Sequence, residues 1–232
     1  HVCTYNDTED HLISKAIHEE GVWESEILKL VHLSLKRIPS AVFLDAGANI
    51  GCHALYAAAL DRFVWAVEPM AINLLRIFKA AELDKRITKM NLIRNGLSGT
   101  YEQKFISKVR IFVTVYAISR KFGKFNSSNI FFQFDGNVGG SRLSDNEDDK
   151  APSESVKTIL WSDVIDDIVK QSPMGGRPVI VMKMDIETYE CKTLLGSSQV
   201  LMNQTAFFIP IIIIEWIFVA FAQRYERSKS TR

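Results

Sequence analysis

Short apolar runs recur along the chain at Ala41–Asp45, Phe63–Glu68, Met90–Ile93, Val179–Ile186 and Ile209–Trp216. Each has the length and near-continuous hydrophobicity of a strand buried on both faces, which is the pattern of a parallel sheet. Between them the periodicity changes to that of helices. Leu12, Ile13, Ala16 and Ile17 fall at helical spacing within Glu9–Ile38, Gly21 interrupts the run, and Trp23, Ile27, Leu30, Val31, Leu33 and Leu35 continue it up to Pro39. Two further helices are predicted, over His53–Leu60 and over Ala71–Leu83, the latter with Leu74, Leu75, Phe78 and Ala81 on one face. Later come a strand at Val156–Leu160, a helix over Ser162–Lys170 and a helix ending near Leu195. Strands alternating with helices define an α/β fold: a doubly wound, mostly parallel sheet with helices on both faces.

The junction after the first strand carries the most chemical information. Val42-Phe43-Leu44 runs into Asp45, and Gly47 and Gly51 follow before the next helix opens. A strand, a glycine turn and a helix N-terminus form the place where such sheets hold nucleotide-like ligands. Gly47 permits a turn that a side chain forbids and lets backbone approach a ligand. The spacing is not the G-x-G-x-x-G of dinucleotide sites, and G-x-x-x-x-G-K-[ST] is absent from the chain. Glu68, at the end of the second strand, is placed to accept hydrogen bonds from both hydroxyls of a ribose. A ribose site without a pyrophosphate site points to S-adenosylmethionine. Asn73, in the first turn of the following helix, either contacts the adenosine or caps the helix.

Asp45-Ala46-Gly47-Ala48-Asn49-Ile50-Gly51, Val67-Glu68-Pro69 and Lys183-Met184-Asp185-Ile186-Glu187, in that order, resemble the motifs of the FkbM-type class I S-adenosylmethionine-dependent methyltransferases. The resemblance covers Phe43 to Trp216. It implies a Rossmann-like methyltransferase fold and a cofactor site that includes Asp45, Gly47, Asn49, Gly51, Glu68 and Asn73. It adds Ser98, in the Asn95-Gly96-Leu97-Ser98 turn where the adenine lies in the family. It implies O-methylation of a hydroxyl on a small molecule, sugar or lipid. Thr188 stands where the family usually has glycine, and an acid-free stretch from Phe105 to Phe134 separates Ser98 from the loop Asn137-Val138-Gly139-Gly140-Ser141. That stretch reads either as a β-rich insertion, with strands near Arg110–Ile118 and Asn129–Phe134, or as translated intron. The organisation expected is a helical segment at 1–40, a methyltransferase domain at 41–222 with an insertion at 105–134, and a basic tail at 223–232.

Composition narrows the partners. The net charge of +1 supplies no field for nucleic acid or an anionic membrane. Cys3, Cys52 and Cys191 show neither a disulfide framework nor metal-ligand spacing, and Cys52 and Cys191, beside the binding motifs, read as small core residues. The acidic run Asp145–Asp149 reads as a solvated loop. The apolar stretch Ala206–Ala222 is shorter than the ~20 residues a membrane span needs and carries Pro210 and Glu215, so a buried strand is expected instead. The chain begins at His1 without an initiator methionine. It reads as a soluble fragment, a processed chain or an incomplete gene model, from which an N-terminal signal or anchor could be missing, and the compartment is left open.

Methyl transfer from a sulfonium to a hydroxyl is an in-line displacement, so the protein must align donor and acceptor and help remove a proton. Asp185 and Glu187, at the end of the fourth sheet strand, are the candidate catalytic carboxylates. That strand is expected beside the first, with Asp45, Glu68 and Asp185 opening onto one cavity. Two other readings stay open: a methyltransferase-like binding domain without activity, and a nucleotide-dependent oxidoreductase.

Overall fold

In the computed structural model, the described residues are 1–93, 117–118, 129–133, 142–144, 155–159, 161–172, 176–186, 190, 193–194 and 201–214. Two helices come first, α1 (Ile13–Glu20) and α2 (Ser25–Arg37). Gly21 ends α1 in the left-handed region at φ 77°, so the predicted break is a glycine C-cap. Then come β1 (Val42–Ala46), α3 (Cys52–Ala59), β2 (Val64–Val67), α4 (Ala71–Leu83) and β3 (Met90–Ile93). Four short strands follow: β4 (Ala117–Ile118), β5 (Asn129–Gln133), β6 (Arg142–Ser144) and β7 (Ser155–Ile159). The chain then forms α5 (Trp161–Gln171), β8 (Val179–Met184) and β9 (Phe208–Ile214).

The principal sheet has the order β3-β2-β1-β8-β9, and all its pairings are parallel. The strand order reverses between β1 and β8, where Asp45 lies opposite Lys183 and Ala46 opposite Met184. The alternation of side chains along β1 and β8 divides the core in two. Phe43 and Val181 face a cluster with Val31 and Leu35 of α2, Ala54 and Leu55 of α3, and Ile77 and Ala81 of α4. Val42, Leu44, Ile180 and Met182 face the opposite cluster, with Val164, Ile165 and Ile168 of α5. The fold is therefore a doubly wound α/β sheet covered on both sides.

The sequence reading needs two corrections. The buried stripe of α4 runs through Asn73, Leu74, Ile77, Ala80 and Ala81, and Leu75 is exposed. An i, i+3, i+7 stripe centred on Ile77 meets the sheet, and Leu75 falls outside it. The last strand is not buried throughout, because Phe208 and Ile212 are exposed. Val179 and Val181 pair with Phe208 and Ile211, so one extra residue is accommodated around Pro210. That bulge explains how a proline fits in the outermost described strand, and it moves Ile211 and Ile213 to the opposite face from Ile209.

A second sheet has the order β4-β7-β5-β6. Here β5, which falls within 105–134, pairs antiparallel with both β6 and β7. Among the described residues, no helix is long and apolar enough to cross a membrane.

Candidate functional site

The site is built at the carboxyl ends of β2, β1 and β8, three neighbouring strands. The turn after β1 is held mainly by the end of β2. The amides of Gly47 and Ala48 both donate to Val67 O, at 2.9 and 3.0 Å, and Gly51 N donates to Ala48 O at 2.8 Å. Gly47 has φ +80°, and a Cβ there would stand 1.6 Å from the backbone oxygen of Asp185. The glycine is thus required by the crossing of β8 over the turn, before any ligand is considered. Gly51, at φ +87°, brings α3 against α4, since a Cβ would lie 2.8 Å from Ile77 Cγ1. Asn49 also adopts a left-handed conformation, at φ 49°, which asparagine tolerates better than most residues.

Glu68 is buried at the end of β2 and its carboxylate is fully engaged by the protein. Oε2 accepts from Asn49 N at 2.9 Å, and Oε1 accepts from Met70 N at 2.9 Å and Asn73 Nδ2 at 3.2 Å. Asn73 is itself buried and accepts from the Tyr5 hydroxyl at 2.6 Å. The Arg76 guanidinium stacks 3.5 Å over the Tyr5 ring and donates to Thr4 O. The N-terminal segment therefore closes over the second strand end. Tyr5 and Ile13 pack on Ile50 of the glycine turn, with Trp23 and Cys52 beside them. Burial pushes Glu68 up to about 7, against the pull of its three donors.

The ends of β1 and β8 are organised differently. Asp45 is fully buried and is held by the charge of Lys183 and the backbone N–H of Ala54, with no close side-chain donor. Lys183 projects from β8 on the same face; its Nζ lies 3.1 Å from Asp185 Oδ2, 3.3 Å from Gly47 O and 3.9 Å from Asp45 Oδ1. Asp185 N donates to Ala46 O at 2.9 Å, and the Asp185 side chain is 21% exposed, the most open of the three acids at the strand ends. Glu24, at the N-terminus of α2, and His53, in the first turn of α3, lie within the field of Lys183; Glu24 Oε2 and His53 Nε2 are 3.7 Å apart. Burial pushes Asp45 up to about 6, with Lys183 pulling it back and Asp185 raising it further. Burial also works against the Lys183 charge, but Asp45, Asp185 and Glu24 outweigh it and hold the ammonium above the ordinary lysine range. Burial next to Lys183 drives His53 down to about 3, so the ring is neutral. Burial, followed by the charge of Asp45, pushes the Cys52 thiol up to about 12. The half-buried Cys52 is thus an inert packing residue.

The structure therefore brings Asp45, Gly47, Asn49, Gly51, Glu68, Asn73 and Asp185 together at adjoining strand ends. Asp185 lies on the Asp45 side of the sheet through their shared lysine. Asn73 is no helix cap, since α4 has no side-chain cap bond; it ties Glu68 to Tyr5. Ser98, Glu187, Thr188, Cys191 and the loops Asn95-Gly96-Leu97-Ser98, Asp145–Asp149 and Asn137–Ser141 lie outside the described residues, as does the tail at 223–232.

Sequence reasoning passed over Lys183, Glu24, His53 and Tyr5 as site residues. A lysine inside the apolar run Val179–Met184 was the available signal, because a buried cation demands partners. Nothing in the pattern around Glu24, His53 or Tyr5 sets them apart from ordinary helix and terminal residues.

A cavity of about 200 Å³ lies apart from these acids, lined by Val2, Ile17, Trp23, Leu28 and Leu55 among others. Among the described residues, no group of three His, Cys, Asp or Glu side chains is arranged to hold a metal ion. No family model, no curated protein and no solved structure matches the chain.

Proposed function

We propose that the chain is an S-adenosylmethionine-dependent methyltransferase acting on a hydroxyl of a small molecule, sugar or lipid. The observation that carries this reading is the combination of amide use and charge at the switch point. Phosphate sites at such turns depend on free backbone N–H groups. Here the amides of Gly47, Ala48, Asn49 and Gly51 already donate within the protein. The strand ends present Asp45, Glu68 and Asp185, with Glu24 close by and Lys183 as the cation among them. An anionic dinucleotide would meet carboxylates and few donors. A nucleoside carrying a sulfonium and an ammonium meets charge of the opposite sign.

In this reading the turn that Glu68 and Asn73 hold in place forms the ribose side and Asp45 the amino-acid side, and the bound cofactor would supply an activated methyl group. The protein's own part is alignment and proton handling. Asp185 is the acid open to solvent, and Lys183 fixes its Oδ2, leaving Oδ1 to accept from an acceptor hydroxyl and orient it for in-line attack. The test is titration calorimetry with S-adenosylmethionine and NAD in parallel. Binding of S-adenosylmethionine without NAD is expected; the reverse preference would replace this reading with an oxidoreductase. Once an acceptor is in hand, Asp185→Asn should cut turnover by about 10²-fold while leaving cofactor affinity within about tenfold.

A further inference from the structure

The N-terminal helices meet α3 across a seam that side chains do not fill. The cavity of about 200 Å³ lies in this seam, with walls from α1, the turn between α1 and α2, α2, α3 and the loop after α4. Ile17, Leu28, Leu55 and Ile87 give it an aliphatic lining, and Trp23 and Tyr56 add two aromatic side chains. Its two charged wall residues neutralise each other: Asp84 Oδ1 accepts from Arg86 Nε at 2.9 Å, and Oδ2 accepts from a terminal guanidinium nitrogen at 2.5 Å. The Tyr56 hydroxyl is paired with His32 Nδ1 at 2.8 Å. The turn that walls the cavity is set rather than slack. Gly21 and Glu24 both adopt left-handed conformations, at φ 77° and φ 47°, and Glu24 Oε2 reaches His53 Nε2 of α3 at 3.7 Å. Holding Glu24 there costs energy, so the turn has not simply failed to collapse onto α3. Protein interiors leave few voids larger than a water molecule. An apolar cavity of about 150 Å³ stays dry and takes up benzene.

We infer that the seam is a binding site for a small, uncharged aromatic molecule of one or two fused rings. The volume sets the size, since it exceeds that of a cavity that takes up a single ring. Trp23 and Tyr56 favour a ring over an alkyl chain, because aromatic pairs gain beyond the area they bury. Asp84 and Arg86 are already paired with each other, so a charged ligand would give up its hydration without a free counter-charge. Val2, Ile17, Trp23 and Cys52 line the cavity and also pack around Tyr5, Ile13 and Ile50. An occupant therefore adds to the cluster that seats the N-terminal segment on the glycine turn. The site stands apart from the acids at the strand ends and does not rest on the function proposed above.

The test is titration calorimetry of the full chain with two probes: indole, an uncharged two-ring molecule, and indole-3-acetate, the same ring bearing a carboxylate. Indole is expected to bind with a dissociation constant of about 1 mM or below, and indole-3-acetate at least about tenfold more weakly. Ala59→Phe, at the end of α3, and Leu28→Phe, on α2, each put bulk into the cavity and are expected to weaken indole at least about tenfold while keeping a cooperative thermal transition. Hydrogen exchange of wild-type protein with saturating indole locates the ligand without any substitution. Amides of α1, the 21–24 turn and α3 are expected to exchange more slowly, and those of α5, which packs in the opposite cluster, to be unchanged. Neither heat nor slowed exchange at millimolar indole would make the seam a packing defect and overturn the inference. Slowed exchange confined to other elements, or undiminished binding by both folded variants, would place indole elsewhere and overturn it too. Indole-3-acetate binding as tightly as indole would show Arg86 available to an anion, and would overturn the uncharged ligand class.

Discussion

Two buried carboxylates stand at the ends of adjacent strands, and the protein treats them in opposite ways. Glu68 receives three donors from Asn49, Met70 and Asn73. Asp45 has only the Ala54 amide turned toward it, and the Lys183 ammonium stands 3.9 Å away. The first acid is a clamp: it fixes the glycine turn to α4 and is satisfied without a ligand. The second is held by the charge of Lys183 and the Ala54 amide, with far less hydrogen bonding than Glu68. A buried acid's position in a motif therefore does not reveal its task; the count of donors around it does.

The largest effect should come from the residue that sets both acids in place. Gly47→Val drives a side chain into the Asp185 carbonyl at the β1–β8 crossing and forces a β-branched residue to φ +80°. Loss of a cooperative thermal transition, a cost above about 4 kcal/mol, is expected. A variant that melts near the wild-type temperature would mean that β1 and β8 are not packed in this way. It follows that Gly47 cannot be used to probe ligand binding, because the fold fails first.

The comparison between the acids is sharpened by denaturant unfolding of Glu68→Ala and Asp45→Asn. Glu68→Ala strands three buried donors and should cost about 2–4 kcal/mol. Asp45→Asn removes the charge but keeps an oxygen for the Ala54 amide, and Lys183 keeps Asp185, so it should stay within about 1 kcal/mol of wild type. Equal losses would erase the distinction between clamp and binding group.

A smaller effect should appear in the pH dependence. Glu68 is raised from 4.5 to about 7 in the fold. Its protonation therefore favours the folded state: the contribution is complete below about pH 4.5 and is lost as pH rises through 7. Asp45, raised from 3.8 to about 6, acts in the same direction, while His53, lowered from 6.5 to about 3, opposes both as pH falls below 6.5. The clean observable is the difference between proteins. Relative to wild type, Glu68→Gln should gain stability as pH rises from 4.5 to 7, a shift of several degrees in Tm for a chain of this size. A parallel pair of profiles would show that Glu68 keeps its ordinary pKa.

Much of this was legible in the sequence, for physical reasons. Continuous apolar runs such as Val42–Leu44 and Val179–Met182 can be buried only between two layers, so the parallel sheet follows from them. A glycine turn behind an acid gave the crevice and its Asp45. What stayed hidden depends on distances that no local pattern encodes. Tyr5 reaches Asn73 and Lys183 reaches Gly47 across the whole domain. The pattern around Gly47 suggests room for a ligand, yet the atom it makes room for belongs to Asp185, a contact visible only once β8 lies beside β1. The bulge at Pro210 was equally out of reach, since a run of isoleucines carries no mark of where the register slips.

The pairing of β1 with β8 has a consequence for synthesis. Phe43 leaves the ribosome long before its partner Val181, on the order of 10 s earlier at ~5–20 residues per second. For that interval one edge of an apolar strand has no neighbour, although β2 and β3 are already available on the other side. A nascent chain in this state is a substrate for chaperones, and for its own copies on the same polysome. Expression at reduced temperature or with added chaperone should therefore change the yield of folded protein more than any change made in the buried acids.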